Sequence, residues 1–228
     1  MAEYVILAML FWCHRLRECE ASFRAGSWRL SSRTGGPLHS ELAGKTVGVL
    51  GLGLIGRAIC ERAKALGTTV IACNRTSRGA SPCVDQLYSW DERRELIERC
   101  DFLVVCCALA PETSGVIGER ELGAMRADAV LINVARAECV DEAALFAACE
   151  NRTIAGATLD VWYAYPTAHE PSPAPSKYPF ASLTNVVMTP HSAAWTTQMI
   201  DRRLAQIAGN MNRLALGRPL QNVVRPGR

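Results

Sequence analysis

The strongest chemical signal in the chain is Gly51-Leu52-Gly53-Leu54-Ile55-Gly56, three glycines at G-x-G-x-x-G spacing directly after an apolar run at 46–50 and directly before a stretch with helical periodicity. In that setting the three glycines play different parts. The first permits a tight turn, the second lets backbone approach a pyrophosphate, and the third lets helix and strand pack closely. The first helical N–H groups, those of Leu54 and Ile55 among them, then face the phosphates. The strand–turn–helix context favours a dinucleotide site over a glycine-rich turn that binds nothing. About 20 residues further on, NAD-preferring sites carry an acid for the ribose 2′-OH. This chain has Asn74-Arg75-Thr76-Ser77-Arg78 there, with no carboxylate to repel a phosphate. A guanidinium can hold a 2′-phosphate through paired, charge-assisted hydrogen bonds. NADP is therefore the first expectation at Asn74, Arg75 and Thr76, NAD the second, and a solvated loop arginine the plain alternative. The turn lacks the Gly-Lys-Ser/Thr ending that a P-loop uses on terminal phosphates, so phosphoryl transfer is disfavoured.

The elements that must position this turn follow from the pattern around it. Residues 2–24 contain no glycine or proline and space Val5, Met9, Trp12 and Leu16 at helical intervals, which predicts one long helix stopped by Gly26. Residues 27–40 read as a polar connector. Then strands are expected at 46–50, 69–73, 102–107, 129–133, 154–159 and 186–189, alternating with helices at 54–66, 91–99, 119–125 and 141–150. Such alternation implies an α/β fold, a doubly wound parallel sheet covered by helices on both faces. Residues 163–180, rich in Pro, Ala, Ser and aromatics, read as an irregular loop, and a closing helix is expected at 193–216.

Composition narrows the classes. Nearly half the 228 residues are apolar, a fifth are charged, and the net charge is only +3 with the basic residues scattered, which gives no nucleic-acid face. The apolar stretch 4–13 is far shorter than the ~20 residues a membrane span needs and has no basic residues before it, so neither an anchor nor a signal peptide is read. The ten cysteines form no C-x-x-C pair and no ligand spacing with the four histidines, so no metal site is expected. They read as reduced core thiols of a cytoplasmic protein.

Three further segments, in order along the chain, resemble the D-2-hydroxyacid dehydrogenase family, which includes glycerate, phosphoglycerate and formate dehydrogenases. They are Ile132-Asn133-Val134-Ala135-Arg136 followed by Val140-Asp141-Glu142, then Gly156-Ala157-Thr158-Leu159-Asp160-Val161-Trp162, then Thr189-Pro190-His191-Ser192. The resemblance implies a Rossmann fold with flanking N- and C-terminal helices and hydride transfer between NAD(P) and a small 2-hydroxy or 2-oxo acid. It implies that Arg136 binds the substrate carboxylate and polarises the carbonyl, since a guanidinium stays charged and forks to two oxygens. His191 would exchange a proton with the carbonyl oxygen. Asp160 would sit near the nicotinamide, and Val134, Ala135, Ser192 and Ala193 would line the cofactor. Taken alone, Arg136 is a surface arginine and His191 a satisfied loop histidine; their placement at predicted strand ends, where open parallel sheets bind ligands, favours the functional reading.

Two departures stand out. The carboxylate that partners the family's histidine would fall at position 165, which is Tyr165 here, so that an imidazolium at His191 loses its charge partner. Formate dehydrogenases carry an amide there, so hydride transfer does not require the acid. Family members also begin with about a domain's length before the helix resembled by residues 2–24. Residues 1–190 are thus expected to form the nucleotide-binding domain and 191–228 a helix that would pack on the substrate domain. A catalytically silent dinucleotide-binding or oligomerisation module, as in corepressor relatives, is the competing expectation, and in either case the first helix with Trp12 is a candidate homodimer face.

Overall fold

Each short apolar run becomes a strand buried on both faces: β1 (Thr46–Leu50), β2 (Thr69–Cys73), β4 (Phe102–Val105), β5 (Val130–Asn133) and β6 (Gly156–Leu159). The computed structural model describes residues 1–28, 38–75 and 81–223. With β3 (Gln86–Tyr88) and β7 (Val186–Met188) they form one parallel sheet in the order β3-β2-β1-β4-β5-β6-β7. The order reverses between β1 and β4, the topological switch point at which ligands bind in such sheets.

Alternate strand residues feed two cores. Leu50, Ile71, Leu103, Leu131 and Leu159 pack on one face with Leu96 and Ile97 of α4 (Arg93–Arg99) and Leu145 and Phe146 of α6 (Glu142–Glu150). Val47, Val49, Val70, Val104 and Ile132 pack on the other with Ile59 and Ala63 of α3 (Leu54–Ala65) and Val5 and Met9 of α1 (Ala2–Cys13). The short α5 (Glu119–Ala124) buries Leu122 beside α6. The doubly wound parallel sheet expected from the alternation, and the Rossmann fold implied by the family resemblance, are what is observed.

The expected single helix at 2–24 is two helices. The chain breaks at Arg15, which adopts left-handed φ 49°, and resumes as α2 (Leu16–Arg24). No glycine or proline causes the break; its consequence is tertiary. Arg17 donates from Nη1 to the carbonyls of Thr184 (2.7 Å) and Val186 (2.9 Å), satisfying acceptors at the β7 edge of the sheet. Trp12, expected at an outer face, turns inward: its indole N–H donates to Thr158 Oγ1 at 2.9 Å, and its ring lies where a Cβ on Gly156 would stand, 2.4 Å away. The third strand, β3, falls where no strand is expected from the sequence.

A second unit begins at Ala194. Its α7 (Thr197–Ala215) is capped by Thr196, whose Oγ1 accepts from the Met199 N–H at 3.2 Å, and it exposes Ile200, Leu204, Ile207 and Met211. Among the described residues no helix is long and apolar enough to cross a membrane.

Met9 is fully buried although it lies near the chain's start. Met9→Ala should therefore cost about 2–5 kcal/mol of unfolding free energy in urea, as for other buried long side chains; a loss below about 0.5 kcal/mol, the level of surface substitutions, would mean that α1 is not part of the core.

Candidate functional site

The register of the sheet sets the site. Leu50 pairs with Cys73 and with Val105, Val105 with Asn133, Asn133 with Leu159, and Leu159 with Met188. The residues that follow, Asn74, Gly51, Cys106, Val134, Asp160 and Thr189, therefore leave the sheet side by side along one crest.

At the centre of the crest the glycine turn is built as its spacing implies. Gly51 has φ +106°, and a Cβ on it would lie 2.7 Å from Cys107 Cα. A Cβ on Gly56 would sit 2.0 Å from Gly51 O, inside the turn itself. Gly53 is different: it precedes α3 in extended conformation, and a Cβ there would meet nothing within 4 Å. The turn is thus closed beneath Gly51 and Gly56 and open above Gly53. No side chain caps α3; its first helical bond is Arg57 N–H to Gly53 O, which leaves the first-turn N–H groups for an anion. These features fit a dinucleotide pyrophosphate. Leu54 and Ile55 are exposed beside it.

Cys106 braces this turn without offering a nucleophile. Cys106 Sγ donates to Gly51 O at 3.1 Å, and burial pushes its thiol up to about 12, so it remains protonated at neutral pH. Burial does the same to Cys60 and Cys73, each raised to about 12. All ten cysteines are free thiols.

On the β2 side, Asn74 Oδ1 accepts a long bond from Leu52 N–H (3.4 Å), joining the strand end to the turn. Exposed Arg75 pairs with Glu112, 2.7 Å away, from the segment after β4. Thr76, expected beside them, lies outside the described residues.

On the β5 side, buried Asn133 shapes the next turn. Its Oδ1 accepts from Ala135 N–H and its Nδ2 donates to Arg136 O, both at 3.0 Å. Val134 and Ala135 are buried, and Arg136 stands exposed with Nη1 donating to Ala135 O at 2.7 Å. Asp141 caps α6 by accepting from Ala144 N–H, so this part of the motif is structural. Glu142 Oε1 accepts from Ser176 Oγ (2.7 Å) and Lys177 N–H (3.1 Å), holding the 163–180 loop.

The β6 and β7 exits form the most tightly bonded corner. Asp160 is 1% exposed, and its oxygens are directed at the 189–193 segment: Oδ1 accepts from Thr189 Oγ1 (2.5 Å) and Ser192 N–H (2.8 Å), Oδ2 from Ala193 N–H (2.9 Å). Because the Thr189 hydroxyl donates to Asp160, the Tyr4 hydroxyl donates to Thr189, 2.6 Å away. Burial holds the Tyr4 phenol above its ordinary pKa, in keeping with a donor. Trp162 Nε1 donates to Thr189 O at 2.9 Å. Between these anchors His191 is exposed and adopts φ +56°. Tyr165 meets it ring to ring, with centroids 5.5 Å apart, while the Tyr165 hydroxyl accepts from Trp162 N–H at 3.1 Å.

The structure thus brings His191, Tyr165, Asp160, Ser192 and Ala193 into one corner, sets Arg136 at the exit of β5, and sets Arg75 at the far end by β2. Tyr4, Asn133 and Thr189 are not among the site residues expected from the sequence, although the last two lie within the quoted motifs. A groove of about 730 Å³ lined by Gly118, Asp141 and Ala144 contains none of these residues.

Comparison with known proteins decides the family. The family described as "D-isomer specific 2-hydroxyacid dehydrogenase, NAD binding domain" matches residues 6–193. The chain belongs to this family. A glyoxylate reductase of Thermococcus gammatolerans is 34% identical over 86% of the chain and 57% of its own length. A D-3-phosphoglycerate dehydrogenase of Mycobacterium leprae is 35% identical over 94% of the chain and 38% of its own length. The chain spans between about two-fifths and three-fifths of these relatives. Among solved structures, a D-isomer-specific 2-hydroxyacid dehydrogenase from Xanthobacter autotrophicus in complex with NADPH superposes with a TM-score of 0.81 at 32% identity, covering 99% of this chain and 87% of that one. D-lactate dehydrogenase with NAD+ from Lactobacillus jensenii gives 0.80 at 28% identity, covering 99% and 68%. The NAD-binding domain of this family, with its Rossmann fold, is what residues 6–193 comprise, as the motifs implied.

Replacing Asp160 by Asn puts an amide where three donors converge. Unfolding free energy should fall by about 1–3 kcal/mol, the cost of leaving buried donors unpaired. The Ser192 and Ala193 amides should exchange with solvent faster in the variant, and unchanged exchange would show that other contacts hold the loop.

Proposed function

We propose that this chain binds NADP(H) in preference to NAD(H) along the crest and works as the dinucleotide-binding part of a D-2-hydroxyacid dehydrogenase that reduces a small 2-oxo acid. The observation that carries the reading is the corner in which a buried carboxylate, Asp160, fixes the segment bearing an exposed His191 at the same sheet edge as the glycine turn and Arg136. When bound, the reduced nicotinamide supplies a hydride for the carbonyl carbon. Arg136 binds the substrate carboxylate and draws charge toward the carbonyl oxygen. The His191 imidazolium gives its proton to that oxygen, and the neutral ring takes a proton back in the oxidation direction. Asn133 orients Arg136 through its backbone, and Asp160 orients His191 through Ser192 and Ala193.

Arg75 without a β2 carboxylate supports the NADP preference, as does the solved relative bound to NADPH. The glyoxylate reductase relative makes glyoxylate, with hydroxypyruvate beside it, the first substrate to try. Ten unbridged thiols support a reducing, cytoplasmic setting. Exposed Leu7 on α1 and Phe23 on α2 support a homodimer, since apolar surface of this kind is commonly covered by a second copy.

A second reading, a module that binds the dinucleotide without turnover, is favoured by Tyr165. Its ring faces His191 where a carboxylate would support the imidazolium, and its hydroxyl is engaged by Trp162. Fluorescence titration with NADPH and NADH, then addition of glyoxylate and hydroxypyruvate, separates the two: oxidation of the cofactor supports the reductase, and binding without oxidation supports the silent module. NADPH should bind about three- to fivefold more tightly than NADH, as one exposed charge-assisted contact implies, and equal affinities would overturn the cofactor preference. Where turnover is seen, His191→Asn should lower kcat by about 10²–10⁴ with cofactor affinity retained.

A further inference from the structure

The cofactor preference proposed above rests on Arg75, and Arg75 already has an anionic partner. Its Nη1 lies 2.7 Å from Glu112 Oε2, with both side chains at least half exposed. Glu112 comes from a different part of the crest, the segment after β4. That segment is held from beneath by Thr113, which is 3% exposed. Thr113 Oγ1 accepts from Ala110 N–H at 2.7 Å and donates to Ala108 O at 2.8 Å, while Ser114 N–H donates to Ala110 O at 2.9 Å. The tight turn keeps the Glu112 backbone in place, so its carboxylate is presented to the β2 exit.

We propose that Glu112 is a specificity-determining residue, an internal competitor of the cofactor's 2′-phosphate for Arg75. A carboxylate and a phosphate make the same demand on a guanidinium, two oxygens facing paired N–H donors. NADPH must displace Glu112 from Arg75 and hold a dianion near the displaced carboxylate. NADH carries no phosphate there and leaves the ion pair intact. The carboxylate that β2 lacks is thus supplied from the neighbouring loop, where it narrows the discrimination between the two cofactors instead of reversing it. Because the pair is exposed, its strength is that of a surface ion pair, and the effect on affinity is a few-fold and shrinks with added salt.

The test is a set of NADPH and NADH titrations, by cofactor fluorescence at low salt and at about 0.5 M salt, where exposed charges are largely screened, on the wild-type chain, Glu112→Gln, Arg75→Ala and the double variant. All changed side chains are exposed, and circular dichroism checks that the fold is kept. Glu112→Gln should bind NADPH about two- to fivefold more tightly at low salt, with NADH affinity within about twofold of wild type. In the Arg75→Ala background the same change should give less than about a twofold gain, because the competition acts through Arg75. If Arg75→Ala weakens NADPH binding but Glu112→Gln does not strengthen it, the competitor role falls while the NADP reading stands. A gain that persists in full without Arg75 also overturns it, since direct repulsion would then be the cause. If Arg75→Ala leaves NADPH affinity unchanged, the NADP reading fails, and the competitor role with it.

Discussion

Everything at the site depends on seven parallel strands that end at one level. A parallel sheet requires crossover connections, the crossovers place helices on both faces, and both faces are then filled with apolar side chains. Leu50, Leu103 and Leu131 on one side and Val49, Val104 and Ile132 on the other leave little room for polar chemistry within the layers. It is displaced to the carboxyl edge, where the pairing of Leu50 with Val105, Val105 with Asn133 and Asn133 with Leu159 aligns the exits of four strands. Residues distant in sequence become neighbours there without any side chain having to select its partner.

Within that edge the buried Asp160 carboxylate imposes a second constraint. A charge taken out of water must be met by donors, or burying it costs several kcal/mol. Here it is met by one hydroxyl and two backbone N–H groups from the segment that carries His191. The same requirement explains the left-handed backbone at His191. A non-glycine residue in that region stores about 1–3 kcal/mol, and it persists only where neighbouring bonds over-determine the chain. The Tyr4 hydroxyl extends the network into α1, which links the first helix of the chain to the last loop of its domain.

Much of the architecture was legible because buried strands announce themselves as short β-branched and leucine runs, and the glycine turn announces its own context. What escaped did so for physical reasons. β3 is only Gln86–Tyr88, with two of its three residues exposed, and has no apolar run to reveal it. The break at Arg15 has no local breaker; its visible consequence is Arg17 reaching carbonyls of residues 184 and 186, a contact far beyond any window of periodicity. Trp12 reads as a surface aromatic until Gly156 provides the space for its ring. Tyr4 and Glu112 belong to no spacing pattern, because their partners are set by the fold. Arg136 and His191 stand out in the sequence because types, order and strand-end position agree across three segments, and the structure sets both at strand exits.

The two ends of the crest are built on different physics. At the His191 end the Asp160 carboxylate is buried, each of its oxygens is engaged, and its bonds gain strength from the low local dielectric, so removing it strands the donors it holds. At the Arg75 end both charges stand in solvent, where an ion pair contributes at most about 1 kcal/mol and exchanges readily with a competing anion. Hydride transfer requires donor and acceptor held to within fractions of an ångström, and only the first kind of construction does that. Discrimination between two cofactors that differ by one phosphate requires a contact that forms with one and not the other, and an exposed arginine is sufficient. On the proposed reading, rigidity is concentrated where the reacting atoms would lie, and exchangeable charge where the cofactor's identity would be read.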